Sequence, residues 1–224
     1  MKINEFPPHE NPIDDDLLLI WDATTNSTKH VTIANLKSLF GASNPTTPST
    51  SAIKLSFASN GDTNGLFYWL GTDGATRNFT NPATDGKIIL TASSIGAGSL
   101  AELCNRQDSQ FFTESVNGSW VKISLVASKA LKVNYYSIKT RNQSSGYYPR
   151  NWKLQGSNDD TTWVDLDNQA NNAVLINNNQ WLSLPVNNST AYRHLRILVT
   201  DVNSSGFYHL VLGELEFYGE YVNT

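Results

Sequence analysis

The segment YPRNWKLQGSNDDTTW at 148–163 constrains the fold most, because it reads as strand, tight turn and strand in immediate succession. Trp152 and Leu154 share one face of a period-two pattern, Gly156 to Asp160 supply turn residues, and Trp163 opens the next run. Two later stretches answer it, AYRHLRI at 191–197 and LVLGELEFYG at 210–219. In the second of these, Leu215 and Phe217 point one way and Glu214, Glu216 and Tyr218 the other, with Gly219 expected to end the strand. Further strands are expected at 53–59 and 65–72, joined by an Asn60-Gly61 turn, and at 86–94, 119–125, 133–140, 180–185 and 193–200. No amphipathic helical pattern runs beyond two turns. Spacing of this kind predicts an all-β chain folded as an antiparallel jelly-roll β-sandwich.

Composition agrees with that expectation and narrows the function. Of the 224 residues, 39% are hydrophobic and only 16% charged, while Asn, Ser and Thr fill much of the rest, as suits short strands joined by polar turns. Six Trp, nine Tyr and nine Phe are enough for a sandwich core with aromatics to spare for a surface site. A net charge of −4 with no cationic run argues against nucleic acid as a partner, since that needs a basic stripe. No apolar run approaches the roughly 20 residues of a spanning helix, so no membrane insertion is expected. The opening MKINEFPPHENPIDDD shows no apolar stretch of the secretory kind.

The chain divides into three zones. Residues 1–41 carry Pro7, Pro8 and Pro12, a triple aspartate at 14–16, the apolar run LLLIWD at 17–22 and VTIANLKSLF at 31–40. We read a small hairpin, 17–22 against 29–33, closed by a helical piece at 34–40 that Gly41 stops. The aspartates suit a solvated turn better than a metal site. Some forty residues cannot bury enough apolar surface to fold alone, so this zone requires a partner surface. Residues 42–52, ASNPTTPSTSA, form a Pro/Ser/Thr linker, and 53–224 make the main domain.

Two resemblances follow from these motifs. The 148–163 hairpin, the Arg-bearing strand with Arg193 and Arg196, and the closing strand with Glu214 and Gly219 resemble the discoidin-like, coagulation-factor type C family of galactose-binding-like domains. Asp160 departs from the pattern, standing where the hairpin usually has glycine. The resemblance implies a sandwich that binds at its loops and performs no chemistry itself. Extracellular animal members carry a disulfide, which the lone Cys104 excludes, so a bacterial, phage or intracellular origin is expected. Residues 16–36, with Asp16, Leu17, Leu19, Trp21, Asp22, Thr25, Lys29, Val31, Thr32, Asn35 and Leu36 in place, resemble a segment near the start of bacteriophage tail-fibre and baseplate proteins.

Catalytic motifs are lacking: there is no nucleophile elbow, P-loop, HExxH or CxxC, and His9, His30, His194 and His209 stand apart in sequence. No enzymatic activity is expected. His194, beside Arg193 and Arg196, reads as a surface or half-buried strand residue. The resemblance implies a structural calcium held by Asp108 and Glu214. The alternative is that Asp108 caps a turn and Glu214 pairs with an arginine such as Arg106.

Two loops, RNQSSGYYPR at 141–150 and NSSGFYH at 203–209, carry the candidate ligand site. Tyr147, Tyr148, Phe207 and Tyr208 offer flat faces for a sugar ring, and Arg141, Asn142 and His209 offer hydrogen-bonding groups. The alternative has Tyr148 and Phe207 plugging the sandwich end and Arg150 serving the framework. The functional expectation is a virion tail-fibre or receptor-binding protein. Residues 1–41 would attach it to other virion tail proteins as a homotrimer, and the sandwich would bind a host cell-surface glycan. The rival is a structural virion protein of the baseplate or capsid surface.

Overall fold

The computed structural model describes residues 17–22, 24–34, 52–143 and 146–224. They belong to two separate units, dividing between Thr50 and Ser51. In the first, β1 (Leu17–Asp22) pairs antiparallel with β2 (Ser27–Thr32), Leu17 opposite Thr32 and Asp22 opposite Ser27. Asn26 makes the turn with a positive φ of 51°, a conformation asparagine tolerates better than most residues. Trp21 stands 62% exposed within this unit. Of the helical piece expected at 34–40 all but Ala34, together with the aspartates at 14–16 and most of the linker, lie outside the described residues.

The second unit is a sandwich of antiparallel sheets. One sheet has the order β10 (Trp181–Pro185), β7 (Lys129–Lys139), β13 (Glu214–Asn223), β3 (Ile53–Leu55). The other runs β4 (Ile88–Ala92), β6 (Trp120–Leu125), β11 (His194–Val199), β8 (Trp152–Ser157), β9 (Val164–Gln169). A short ladder, β5 (Phe111–Phe112) with β12 (Val211–Leu212), adds to one end. Alternation fills the space between the sheets. Val121, Ile123 and Leu125 of β6, Leu195, Ile197 and Val199 of β11, and Leu154 of β8 are buried, as are Leu131, Val133, Ile138, Leu215 and Phe217 opposite.

A polar relay joins the two sheets through this core. Trp152 Nε1 donates to Tyr136 Oη at 2.8 Å, and Tyr136 Oη donates to Asp167 at 2.7 Å. The two largest fully buried side chains are thereby hydrogen-bonded rather than orphaned.

Three expectations are corrected here. Residues 65–72 are not a strand: α1 (Leu66–Gly71) is helical, with Leu66, Phe67 and Leu70 buried. A continuous apolar run does not distinguish the two, and the deciding partner is remote in sequence. Glu216 of β13 accepts from Phe67 N at 2.7 Å and Tyr68 N at 3.3 Å, satisfying helix N-terminal donors. Gly219 does not end the last strand, which continues to Asn223 through an irregularity at Tyr218/Gly219. His194 is buried, its Nδ1 2.7 Å from Ser124 Oγ. Asp160, in the place of the usual glycine, takes a positive φ of 60° itself, with its N–H donating to Ser157 Oγ.

Candidate functional site

The loops at the end of the sandwich where β6 begins and β11 ends are tied together by side-chain hydroxyls. Gly146 and Tyr147 both have positive φ, 74° and 62°, and Tyr147 N and Tyr148 N donate to Ser205 Oγ and Ser204 Oγ at 3.1 and 2.9 Å. A non-glycine residue held in this region costs energy that the surrounding bonds must supply, and such residues gather at functional sites. Asn203 closes the facing loop, its Oδ1 accepting from Ser205 N and Phe207 N. The outcome is that Tyr147, Phe207 and His209, which come from two distant loops, share one aromatic cluster. Their centroids lie 5.5 Å (Tyr147–Phe207), 5.6 Å (Phe207–His209) and 5.9 Å (Tyr147–His209) apart.

The Arg141 guanidinium sits 5.0 Å from the Tyr147 ring centroid, a cation–π contact that orients both groups. His209 Nδ1 lies 2.7 Å from the carbonyl of Thr113. A carbonyl only accepts, so Nδ1 carries the proton, and in the neutral ring Nε2 offers a lone pair. These residues line a cleft of about 450 Å³ completed by Ala97, Gln110, Phe112, Gln143 and Val211. Aromatic faces, a guanidinium and amide groups converging in a cleft suit a hydroxyl-rich ring.

Of the residues singled out in the sequence, Arg141, Tyr147 and His209 line the cleft, and Phe207, 44% exposed, flanks it. Tyr148 and Tyr208 are partly buried against the core, and Tyr148 Oη is hydrogen-bonded to Asn178. Asn142 lies outside the cleft lining and donates to Asp108 O at 2.8 Å. Arg150 serves the framework by donating to Asn172 O at 2.9 Å. Gln110, Phe112 and Gln143 were missed. Gln110 precedes and Phe112 ends a two-residue strand whose pairing with β12 no local pattern announces.

Asp108 and Glu214 are brought together, but around a lysine. Lys139 Nζ lies 2.9 Å from each carboxylate. Burial pulls the Lys139 ammonium down, yet the two carboxylates outweigh it and hold the group above the ordinary lysine value. A calcium ion needs six to eight oxygens, and here a covalently attached cation occupies the space between the two carboxylates. The residues therefore do not fit calcium. Arg106 forms its ion pair with Glu216 rather than Glu214; its guanidinium is 3.8 Å from Glu216 and donates to the carbonyls of Gly61 and Asp62. Among the described residues no cluster of three or more His, Cys, Asp or Glu could hold a metal. Excess EDTA is expected to leave the melting temperature of the full chain unchanged, and added calcium likewise, as differential scanning fluorimetry would show.

The fold defines a galactose-binding-like sandwich. The F5/8 type C domain model matches residues 90–212, more than half of the chain, and the chain belongs to that family. Curated relatives include the E3 ubiquitin-protein ligase Ufd4 of Drosophila melanogaster, 29% identical over 173 residues, and the BTB/POZ domain-containing protein At2g30600 of Arabidopsis thaliana, 28% over 179. The matches cover 73% and 74% of this chain but only 6% and 22% of those relatives. Among solved structures, CpGH89CBM32-5 from Clostridium perfringens, in complex with GalNAc-β-1,3-galactose, gives a TM-score of 0.50 at 14% identity, covering 60% of this chain and 96% of that one. CBM32-3 from a family 31 glycoside hydrolase of the same organism gives 0.51 at 15%, covering 63% and 99%. At those identities the likeness is one of fold. Among the described residues no helix is long and apolar enough to cross a membrane.

Proposed function

We propose that the sandwich is a glycan-binding module without chemistry of its own, and that the cleft between the 141–150 and 203–209 loops holds a neutral galactose-type sugar. The observation that carries this reading is the convergence of Arg141, Tyr147 and His209 on one cleft beside the exposed Phe207 ring. Tyr147 or Phe207 would take the apolar face of the ring, and Arg141 and His209 Nε2 would fix hydroxyls. That a carbohydrate-binding module of like fold is known with GalNAc-β-1,3-galactose supports the choice of sugar.

Residues 1–41, in the same proposal, attach the chain to a phage or phage-like tail and assemble it as a homotrimer. Multivalency would then raise a weak single-site affinity. The support is the sequence pattern of the hairpin segment and the exposure of Trp21 within it. Truncation of 1–41 is expected to convert a trimer into a monomer in analytical ultracentrifugation while leaving single-site sugar affinity unchanged.

Isothermal titration of the full chain with a β-galactoside tests the site. Tyr147→Ala and His209→Ala should each weaken binding by about tenfold or more, with melting temperatures near wild type. Unchanged affinity in both would move the site elsewhere.

A second reading has a protein loop in the same cleft. It is favoured by the 29% identity to a segment of Ufd4, higher than the identity to the carbohydrate-binding modules. A folded chain that binds no sugar on a broad glycan array, yet binds a protein partner through Tyr147 and His209, would select it.

A further inference from the structure

A second cleft lies on the outer face of the five-stranded sheet, beside the β8–β9 turn, and shares no lining residue with the first. It is lined by Trp120, Lys122, Asp160, Trp163 and Arg196 and encloses about 140 Å³. Strand register builds it. Thr91, Lys122, Arg196, Gln155 and Asp165 stand opposite one another in turn across β4, β6, β11, β8 and β9, so one row of polar side chains crosses the whole sheet.

The charges in that row are unequally matched. Lys122 Nζ pairs with Asp160 at 2.6 Å, and Lys153 Nζ with Asp165 at 2.6 Å. Arg196, at the centre, pairs with no carboxylate among the described residues. Its Nε donates to Gln155 Oε1 at 2.7 Å, and Gln155 in turn donates to Asp165 at 2.5 Å. Its guanidinium carbon stands 4.0 Å from the Trp163 ring centroid. Stacked on an indole and bonded through Nε alone, the guanidinium is fixed in orientation with its two terminal amines left for an outside acceptor. That is the fork geometry that receives a planar oxyanion through two parallel hydrogen bonds. Trp120, with Lys122 Nζ 5.7 Å from its ring centroid, supplies a second aromatic face at the cleft.

We propose that this cleft binds the carboxylate of an acidic sugar residue, with Arg196 gripping the carboxylate and Trp120 taking the face of the sugar ring. The site is independent of the loop-end cleft. A module with both would engage a neutral sugar at its end and an acidic one on its flank. The surplus positive charge at the sheet centre favours an anion, and the room is that of a single ring rather than a polymer.

The test is NMR titration of the full chain with a short oligogalacturonate, following the indole N–H signals of Trp120 and Trp163. Both signals should shift on addition. The methyl-esterified oligomer, which lacks the charge, should leave them in place. Arg196→Gln should weaken oligogalacturonate binding by about tenfold or more, and Arg196→Lys, keeping the charge but not the fork, by nearly as much. His209→Ala should have no effect on it, which separates failure here from failure of the loop-end reading. A melting temperature for Arg196→Gln within a few degrees of wild type would exclude unfolding as the cause. If Arg196→Gln proves unstable, Trp120→Ala provides the same readout with the guanidinium intact. Unmoved indole signals, equal binding of the esterified oligomer, or preference for a sulfated neutral glycan or for polyglutamate would each overturn the proposal.

Discussion

Gly219→Ala is expected to lower the unfolding free energy of the sandwich by about 4 kcal/mol, the sum of backbone strain and overpacking. Gly219 has a φ of 144°, which side chains rarely adopt, and a Cβ built there would fall 2.1 Å from the carbonyl oxygen of Lys132 and 2.9 Å from its carbon. Both atoms are backbone of β7, the strand paired along nearly the whole length of β13, so neither can move aside without breaking the sheet. The close approach has a cause in the register. Tyr218 faces Tyr135 and Gly219 faces Val133, which leaves Asn134 as an extra residue on β7. That bulge switches the parity of β7, so Tyr136 and Ile138 on one side of it and Leu131 and Val133 on the other all reach the core. Gly118→Ala is the control. Its φ is 77° but nothing lies within 4 Å of the added carbon, so only the left-handed penalty of about 1–2 kcal/mol applies. Urea unfolding of the two variants side by side separates the clash from the conformational cost.

Glu216→Ala should cost about 3–5 kcal/mol, because it leaves buried backbone N–H donors without an acceptor. The carboxylate is 3% exposed as a residue and accepts from Phe67 N, Tyr68 N and Phe217 N, with Arg106 3.8 Å away. Its loss strands the N-terminal donors of α1 in an apolar setting. Gly65 lets it fit, since a Cβ there would lie 2.2 Å from Glu216 Cγ.

The same side chain imposes a pH dependence. Burial pushes the Glu216 carboxyl up to about 7, outweighing the three backbone N–H groups and Arg106, which act to lower it. An unfolded chain holds the group near the ordinary value of about 4.3. Between those values the unfolded state has released a proton that the folded state retains. The stabilisation from this group is thus complete below the unfolded value and is lost as pH rises towards 7. The difference in unfolding free energy between wild type and Glu216→Gln should therefore shift against wild type from pH 4 to 7 and level off above; a difference flat across that range would remove the titration from the account.

The sandwich was legible because its strands obey period two and its turns carry their own chemistry. Trp152, Leu154, Leu215 and Phe217 declared their face in the sequence and are all buried. The misread elements depended on partners remote in the chain. Residues 66–70 are a run of large apolar and aromatic side chains, so only the carboxylate of Glu216, about 150 residues later, marks them as helix. Gly219 looked like a terminator because glycine ends many strands, whereas here it allows a bulge opposite it. The loop aromatics were visible as candidates, but their division was not. Tyr147 and Tyr148 are neighbours, and the positive φ of Tyr147 places its ring beside Arg141 and Phe207 while Tyr148 packs against the core. The lysine between Asp108 and Glu214 escaped notice because Lys139 reads as an ordinary strand residue, and only β-pairing sets it opposite Glu214.

The most direct test of the account is an amide NMR titration of the full chain with a neutral β-galactoside. Shifts confined to residues around the loop-end cleft, near Ala97, Gln110 to Phe112, Arg141 to Tyr147 and Phe207 to Val211, and abolished by His209→Ala, are the predicted result. Saturating sugar that moves no amide there, or moves a different set unaffected by His209→Ala, would contradict it.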